Sequence, residues 1–419
     1  MSTYNNPLDV LNDKQVKVYF LGILESNLTS EEKYQKFLAF FAQQEQIERE
    51  MLKRTEQLLS NKGGDLNRIL SQVGQEMGVW EPHKMLEETA NSIQRAVRRL
   101  RVSQHRDGGW GPMPEQSNFW GTAYAVLCLL HAQTIKAFTF DVDIATMVDR
   151  GMLWLKDRAY EWDATTIAAN GMLSVYHTAL AVRCFSEAGE TDFATVPDCL
   201  EALADAQNAD GGWDAHLWGP DIESPTKVYS EVGATSYAIQ ALAETGDMQY
   251  ADGVRRAIDW LLALQNDDGS WNYGSCHPGA ANLSGSPDIK KTCEALQGIL
   301  VGKTYGVWDA TFAAPIDKAV EWLQGQEKPI FGENKQIEGW GWFSSTFDYE
   351  VSCLTLETLV KMPDPPLTLL GSNVNWLIKS QCTDANRLED GSWLKGDTAR
   401  ITLSLIEYYK TVSTSSLFE

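Results

Sequence analysis

Two carboxylates separated by one residue stand between aromatic side chains near residue 350. The stretch reads Phe347-Asp348-Tyr349-Glu350 and is followed by Val-Ser-Cys. Carboxyl groups at this spacing shift each other's pKa, so that one can stay protonated and donate a proton while the other is ionised. Aromatic faces beside them would stabilise a developing cation. This segment is the best candidate for acid catalysis, with Glu350 as the donor and Asp348 as its partner.

The same residues also fit the start of a helix. Ser344-Ser345 followed by Asp348 resembles a capping box, and acidic residues are favoured in the first turn of a helix. Capping is therefore the alternative role for this pair. Similar positions before predicted helices are held by three further acid candidates, Asp163, Asp288 and Asp397.

The elements that position these residues come from an internal repeat. Gln-x-x-Asp-Gly-x-Trp occurs at 104–110, 207–213 and 265–271, and a looser copy runs from Gln381 to Trp393. Two weaker copies end at Trp162 and Trp340, so the motif recurs about every fifty residues, with an insertion in the fifth unit. The glutamine amide can donate to backbone carbonyls at a helix end, and Asp-Gly supplies a turn. We therefore interpret the motif as a structural brace.

Each repeat predicts two helices. An amphipathic helix precedes the motif, as in Val254, Ile258 and Leu261, and a helix that is apolar on all sides follows it, as in 121–132 and 233–244. Six such pairs predict an all-α fold, an (α/α)6 barrel with six outer and six inner helices. We place the barrel at 91–419, and we expect residues 1–90 to form a helical extension that packs on it.

Repeated QxxDGGW followed by a Thr-Ala-rich helix resembles the QW motif of the squalene-hopene and oxidosqualene cyclase family, over about residues 90–410. Such cyclases carry two barrels, whereas this chain has residues for one. The resemblance implies a single-barrel class II terpene cyclase without cofactor or metal. Such an enzyme would protonate a linear polyprenyl substrate and close it into a polycyclic product.

In this family the acid is the middle aspartate of DxDDTA, and no DxDD occurs in this chain. Asp288-Ile-Lys290-Lys291-Thr-Cys keeps the first aspartate and the threonine, but Lys290 stands at the acid position. These lysines could hold an anionic head group, such as a prenylated hydroxybenzoate or a prenyl diphosphate. Alignment on Ser352-Cys353 instead places Glu350 at the acid position and Asp348 at the first aspartate.

Aromatic residues on or beside the inner helices would line a substrate cavity, with ordinary core packing as the alternative for each: Trp120, Tyr124, Tyr176, Tyr229, Tyr237 and Tyr349. His177 could orient a carboxyl group, as a histidine does in the family. A histidine alone in an apolar helix is more often a core residue.

Two other classes of protein remain open. The zinc-dependent prenyltransferase β-subunits share the barrel, but Lys291 stands where they place a histidine, and Cys276-His277 are adjacent and poorly spaced for zinc. A non-catalytic barrel that binds a ligand would explain the missing DxDD. Bound zinc and product analysis separate these alternatives from a cyclase.

Charge and cysteine content limit the partners. With 57 acidic and 35 basic residues the net charge is −22, which argues against non-specific nucleic-acid binding. Seven unclustered cysteines and no signal-peptide pattern favour the cytoplasm. The apolar segment 18–24 could touch a membrane surface or pack into a core.

Overall fold

A computed structural model describes residues 82–414 apart from 114, 160–172, 194, 218–229, 273–285, 332–336, 343–348, 363–364, 382–390 and 394–396. Twelve α-helices occupy these described residues. The outer helices are α1 Pro82–Ser103, α3 Ile144–Asp157, α5 Thr195–Asp205, α7 Ala251–Ala263, α9 Ala313–Gly325 and α11 Leu367–Lys379. The inner helices are α2 Phe119–Gln133, α4 Val175–Glu187, α6 Val232–Glu244, α8 Ile289–Thr304, α10 Tyr349–Leu359 and α12 Thr398–Ser413.

The two sets of helices bury different shares of their surface. Helix α7 buries one face, with Val254, Ala257, Ile258 and Leu261. Helix α6 buries every residue from Val232 to Ala243 except Tyr237. A helix buried on all sides needs a second layer around it, and this layer is the amphipathic outer set. The predicted division into outer and inner helices is confirmed.

The inner helices form a closed ring. Each inner helix contacts the next along the chain, from α2 to α12, and α12 contacts α2. The predicted all-α fold, an (α/α)6 barrel, is therefore confirmed. Three short antiparallel pairs complete it: β1 Leu173–Ser174 with β2 His216–Leu217, β3 Trp271–Asn272 with β4 Pro287–Asp288, and β5 Lys328–Phe331 with β6 Ile337–Gly341. The last pair is the insertion expected in the fifth repeat.

The glutamine of each clear motif copy joins two repeats. Gln207 Nε2 donates to Gly211 O of its own turn and to Gly253 O of the next outer helix, each at 2.8 Å. Gln265 does the same with Gly269 O and Pro315 O. The predicted brace is confirmed, with one correction. The amide donates to the turn and to the following repeat, and not to the end of its own helix.

The tryptophan of the motif, and not the glutamine, donates a hydrogen bond to the end of the preceding helix. Trp213 Nε1 donates to Leu203 O at 2.6 Å, and Trp213 N donates to Thr235 Oγ1 of the next inner helix at 2.9 Å. The indole thereby satisfies a carbonyl near a helix end, where intrahelical partners are lacking. One position in the sequence prediction is wrong: the fifth tryptophan is Trp342, which bonds Leu323 O and Ser352 Oγ, and not Trp340. Trp162 lies outside the described residues.

The N-terminal part of the domain prediction remains a prediction. Helix α1 runs from Pro82 to Ser103 without a break at the boundary placed between residues 90 and 91. Residues 1–81, including the apolar segment 18–24, lie outside the described residues. Among the helices that the structure describes, none combines the length and the hydropathy needed to cross a bilayer.

Candidate active site

The site lies at the N-terminal ends of the inner helices, which all begin in the same register. The N-cap positions of five of them are held by Asn118, Ser174, Glu231, Asp288 and Asp397. The side chains of Asn118, Asp288 and Asp397 accept a hydrogen bond from the first turn of their helix. The second helical residues are then Trp120, Tyr176, Gly233, Lys290, Glu350 and Ala399. Four of these six line a cavity of about 570 Å³, together with residues from the next turns: Tyr124, Tyr237, Lys291, Glu294, Tyr349, Cys353, Asp397, Arg400 and Ile401.

One wall of the cavity is aromatic. The rings of Trp120 and Tyr124 stack with centroids 6.1 Å apart, and the hydroxyls of Tyr124 and Tyr237 are 3.0 Å apart. The ring of Tyr176 meets that of Tyr237 edge to face at 5.0 Å. Aromatic faces at this spacing attract a cation placed between them. These predicted lining residues therefore come together in one place.

His177 lies behind this wall. Its ring packs against Phe119 at 4.7 Å and against Trp120 at 4.9 Å, and the residue does not line the cavity. Burial lowers the pKa of His177, which favours the neutral ring. Its Nδ1 is buried and has no hydrogen-bond partner within the described part of the chain. This position matches the core-packing alternative.

An ion pair spans the mouth of the cavity. Lys290 Nζ lies 2.7 Å from Glu350 Oε1, and Arg400 Nη1 lies 4.0 Å from the same oxygen. Burial alone would raise the pKa of Glu350, but the charge of Arg400 and the bond from Lys290 lower it below its usual value. Glu350 occupies the expected place, but it is held as a carboxylate, which disfavours it as a proton donor.

Asp397 is a second cavity carboxyl in a different environment. It caps α12, accepting a hydrogen bond from Arg400 N at 3.0 Å, and it opens onto the cavity. Burial raises the pKa of Asp397, although the hydrogen bond from Arg400 N and the charge of Arg400 oppose this rise. The nearby charge of Glu350 acts in the same direction as burial. Arg400 itself is buried, with its guanidinium 4.7 Å from the Tyr124 ring and bonded to the Tyr124 hydroxyl.

A third charged group lies on the other side of the cavity. Lys291 Nζ contacts Glu231 Oε1 at 2.6 Å and Glu294 Oε2 at 2.9 Å, and the Tyr176 hydroxyl donates to Glu231 Oε2 at 2.8 Å. The sequence analysis missed Glu231, Glu294 and Arg400. Aligning the six inner-helix starts would have revealed them, because each falls on a cap or on the first two turns.

The remaining predicted site residues are Asp288, Tyr349 and four residues outside the described ranges. Asp288 caps α8 through Lys291 N at 2.8 Å and is not among the residues that line the cavity. Tyr349 lines the cavity and stacks on Trp376, with centroids 4.8 Å apart. Asp348, Phe347, Tyr229 and Asp163 lie outside the described residues. Within the described ranges no group of three His, Cys, Asp or Glu side chains is placed to hold a metal.

Comparison with known proteins shows which proteins this chain resembles. Residues 133–281 match the model of the squalene-hopene cyclase C-terminal domain. The chain is 30% identical over 105 residues to squalene–hopene cyclase from Bradyrhizobium diazoefficiens, which covers 24% of this chain and 16% of that protein. It is 31% identical over 117 residues to protostadienol synthase A from Arthroderma gypseum, which covers 26% of this chain and 15% of that protein. The predicted resemblance to the squalene-hopene cyclase-like, class II terpene cyclase family is confirmed.

Solved structures agree on the fold. The type II terpene cyclase MstE from Scytonema, as a variant in complex with geranylgeranyl dihydroxybenzoate, matches with a TM-score of 0.53 at 15% identity, over 78% of this chain and 99% of that one. Cellobiose 2-epimerase from Spirochaeta thermophila matches with a TM-score of 0.57 at 12% identity, over 80% and 98%. At these identities the likeness concerns the barrel alone. The matched segments span only 16% and 15% of the curated relatives above.

Proposed function

We propose that this chain is a proton-initiated class II terpene cyclase, which folds a linear polyprenyl chain in the barrel cavity and closes it into a polycyclic product. The observation that carries this proposal is the meeting of aromatic faces and carboxyl groups in one cavity. Trp120, Tyr124, Tyr176 and Tyr237 lie there with Glu294, Glu350 and Asp397. A carboxylic acid is needed to protonate an alkene, and aromatic faces are needed to stabilise the cation that forms.

Asp397 is the donor in this proposal. A donor must hold its proton before the reaction, and a raised pKa favours that state. Glu350, which Lys290 and Arg400 keep ionised, is then the neighbouring carboxylate that helps to hold the proton on Asp397. The sequence predicted Glu350 as the donor with Asp348 as its ionised partner. The proposal keeps one protonated and one ionised carboxyl, but it gives the proton to Asp397, a further acid candidate, and makes Glu350 the ionised partner. Glu350 as the donor remains the alternative.

The head group of the substrate is proposed to lie at the mouth. The Lys290 side chain is 39% exposed and accessible to an anion, whereas Lys291 is enclosed by Glu231 and Glu294. A carboxylate on a prenylated hydroxybenzoate would meet Lys290 there. Geranylgeranyl dihydroxybenzoate, the substrate named for MstE, is therefore the first compound to test.

We propose that this activity is cytoplasmic and that the substrate arrives from a membrane surface. Five of the cysteines are buried free thiols within the described residues, which fits a reducing compartment. A geranylgeranyl chain partitions into lipid, so contact of the protein with a membrane would shorten its path to the cavity. Recovery of the protein with vesicles that contain the substrate tests this point.

The deciding experiment compares Asp397→Asn with Glu350→Gln. The protein is incubated with geranylgeranyl dihydroxybenzoate or geranylgeranyl diphosphate, and the extract is searched for a product of unchanged mass and new retention time. Asparagine caps helices as well as aspartate, so Asp397→Asn keeps α12 but removes the donor. We expect it to lose at least about 10²-fold in rate. If Glu350→Gln loses turnover and Asp397→Asn retains it, Glu350 is the donor. Ligand binding without turnover would favour the non-catalytic barrel.

A further inference from the structure

A buried charge network occupies the half of the cavity formed by α4, α6 and α8. Glu294 is 3% exposed, lines the cavity and contacts Lys291, which in turn contacts Glu231. With both carboxylates ionised and the lysine protonated, the group carries a net charge of −1. The proposed donor Asp397 lies in the other half, on α12 beside α10 and α2. A negative charge thus lies away from the place where protonation would begin.

The backbone leaves room for this network at one glycine. Gly233 is the second residue of α6, where two of the other inner helices carry Trp120 and Tyr176. A Cβ at Gly233 would lie 2.6 Å from Glu294 Oε2 and 2.9 Å from Lys291 Nζ, and would collide with the Tyr176 hydroxyl. Any other residue type would therefore push the three groups apart. The close approach of the carboxylate, the ammonium and the phenol depends on glycine here.

We propose that Glu294 is the base that ends the cyclisation, an inference that rests on the proposed function. A carboxylate oxygen of Glu294 takes a proton from the carbon next to the final cationic centre. The electron pair of that C–H bond becomes the π bond of an alkene, and Glu294 becomes a neutral carboxylic acid. The charge of the network changes from −1 to 0 while the cation is neutralised, so no net charge is created in the cavity.

The network also supplies a route for the proton to leave. Lys291 Nζ joins Glu294 to Glu231, and the side chain of Glu231 is 27% exposed. Transfer from Glu294 through Lys291 to Glu231 releases the proton towards solvent and restores the carboxylate. Burial raises the pKa of Glu294, although Lys291 opposes this rise. The higher pKa makes Glu294 a stronger base. The Tyr176 hydroxyl keeps Glu231 in place by donating to its other oxygen.

Glu294→Gln tests this role by product analysis. Without the base, water captures the final cation, so we expect an alcohol 18 Da heavier than the cyclised alkene, or isomeric alkenes, with substrate consumption within about threefold of wild type. Gln297→Met is the matched control, because Gln297 lies about one turn further along α8, is buried and bonds Thr358. It should leave the product unchanged. An unchanged product from Glu294→Gln would overturn the proposal.

A second variant covers the case in which Glu294→Gln does not fold. Glu294→Asp keeps a carboxylate but withdraws it by one methylene group. We expect it to give a mixture of the original alkene and the water-captured alcohol, and the wild-type product alone would overturn the assignment. If the wild-type protein consumes no polyprenyl substrate, the proposed cyclase activity fails. That result is distinct from any change in product ratio.

Discussion

Lys290 Nζ lies 2.7 Å from Glu350 Oε1, and this contact joins the second residues of two neighbouring inner helices across the mouth of the cavity. The two motif registers considered in the sequence place one or the other of these residues at the acid position of DxDDTA. One helix therefore presents an ammonium group and the next a carboxylate at the same height in the ring. In the proposed function, this ion pair makes Glu350 the less suitable proton donor.

This pair predicts a shift in the pH dependence of turnover. The donor must be protonated, so the rate is expected to fall as pH rises through the pKa of Asp397. The charge of Glu350 contributes to raising the pKa of Asp397. Glu350→Gln should therefore move the fall in rate to lower pH. The measurement is kcat against pH for the variant and the wild type, and superimposed profiles would contradict the coupling.

The aromatic wall predicts a difference between two substitutions of Tyr237. Its ring contacts Tyr176 and its hydroxyl meets that of Tyr124. Tyr237→Phe keeps the ring, whereas Tyr237→Leu removes the face that would stabilise a cation, worth about 1–2 kcal/mol in a desolvated site. We expect kcat to fall by about 5- to 30-fold for the leucine variant and much less for phenylalanine. Equal losses would show that the hydroxyl, which both variants lack, accounts for the effect, and would contradict a cation-stabilising role of the ring.

A half-buried histidine at the far end of the inner helices predicts a loss of stability at high pH. His131 contacts Glu187 at 2.5 Å and Glu407 at 2.7 Å, and so joins α2, α4 and α12. Burial opposes the charge, but the bonds to Glu187 and Glu407 raise the pKa of His131 to about 9. Since the folded value exceeds the unfolded one near 6.5, the stabilisation is complete below about pH 6.5 and is lost as pH rises towards 9.

The carboxylates of this cluster respond in the opposite direction. Burial alone would raise the pKa of Glu407, but the bond from His131 lowers it to about 2. Its contribution is present above about pH 4.5 and is lost as pH falls towards 2. His131→Gln should cost about 3 kcal/mol at pH 6 and much less at pH 9.5. Urea unfolding of both proteins at the two pH values checks this, and an equal cost at both would contradict it.

The turns of the repeats predict that one added methyl group, in Gly211→Ala, lowers the free energy of unfolding strongly. Gly211 has φ +99°, and a Cβ there would lie 2.8 Å from Arg256 O of the next outer helix. Gly246 has φ +69° with open space around it, which makes it the matched control for backbone strain alone. We expect Gly246→Ala to cost about 1–2 kcal/mol and Gly211→Ala clearly more. Equal unfolding free energies for the two variants would show that the turn does not depend on close approach.

The repeat could be predicted because its determinants are local. Gln, Asp-Gly and Trp each act within one turn or on the adjacent helix, so the spacing of the motif predicts the ring. The fifth copy shows the limit, because Trp340 and Trp342 both follow a glycine in the sequence. The bonds of Trp342 to Ser352 Oγ and Leu323 O, which depend on the folded turn, identify it as the tryptophan of the motif.

The position of the site residues could be predicted from the sequence, but the residues that they contact could not. Counting from the helix starts places Lys290, Glu350 and Tyr176 at one level, and the structure brings them to one cavity. Their partners lie one repeat away: Lys290 bonds Glu350, Lys291 bonds Glu231, and Tyr176 bonds Glu231. Which charges meet is set by the packing of neighbouring inner helices. Glu350 and Lys290 could each be identified from the sequence, but the ion pair that keeps Glu350 ionised could not.

Incubation in D₂O tests the proposed activity most directly. Proton-initiated cyclisation adds one proton from the acid and removes another from the substrate. In H₂O the product of geranylgeranyl dihydroxybenzoate is therefore predicted to have the mass of the substrate. In D₂O, where the carboxyl proton has exchanged, it should be one mass unit heavier, with the deuterium on a former alkene carbon. A cyclised product without deuterium, or a polyprenyl substrate recovered unchanged from the wild-type protein, would contradict the account.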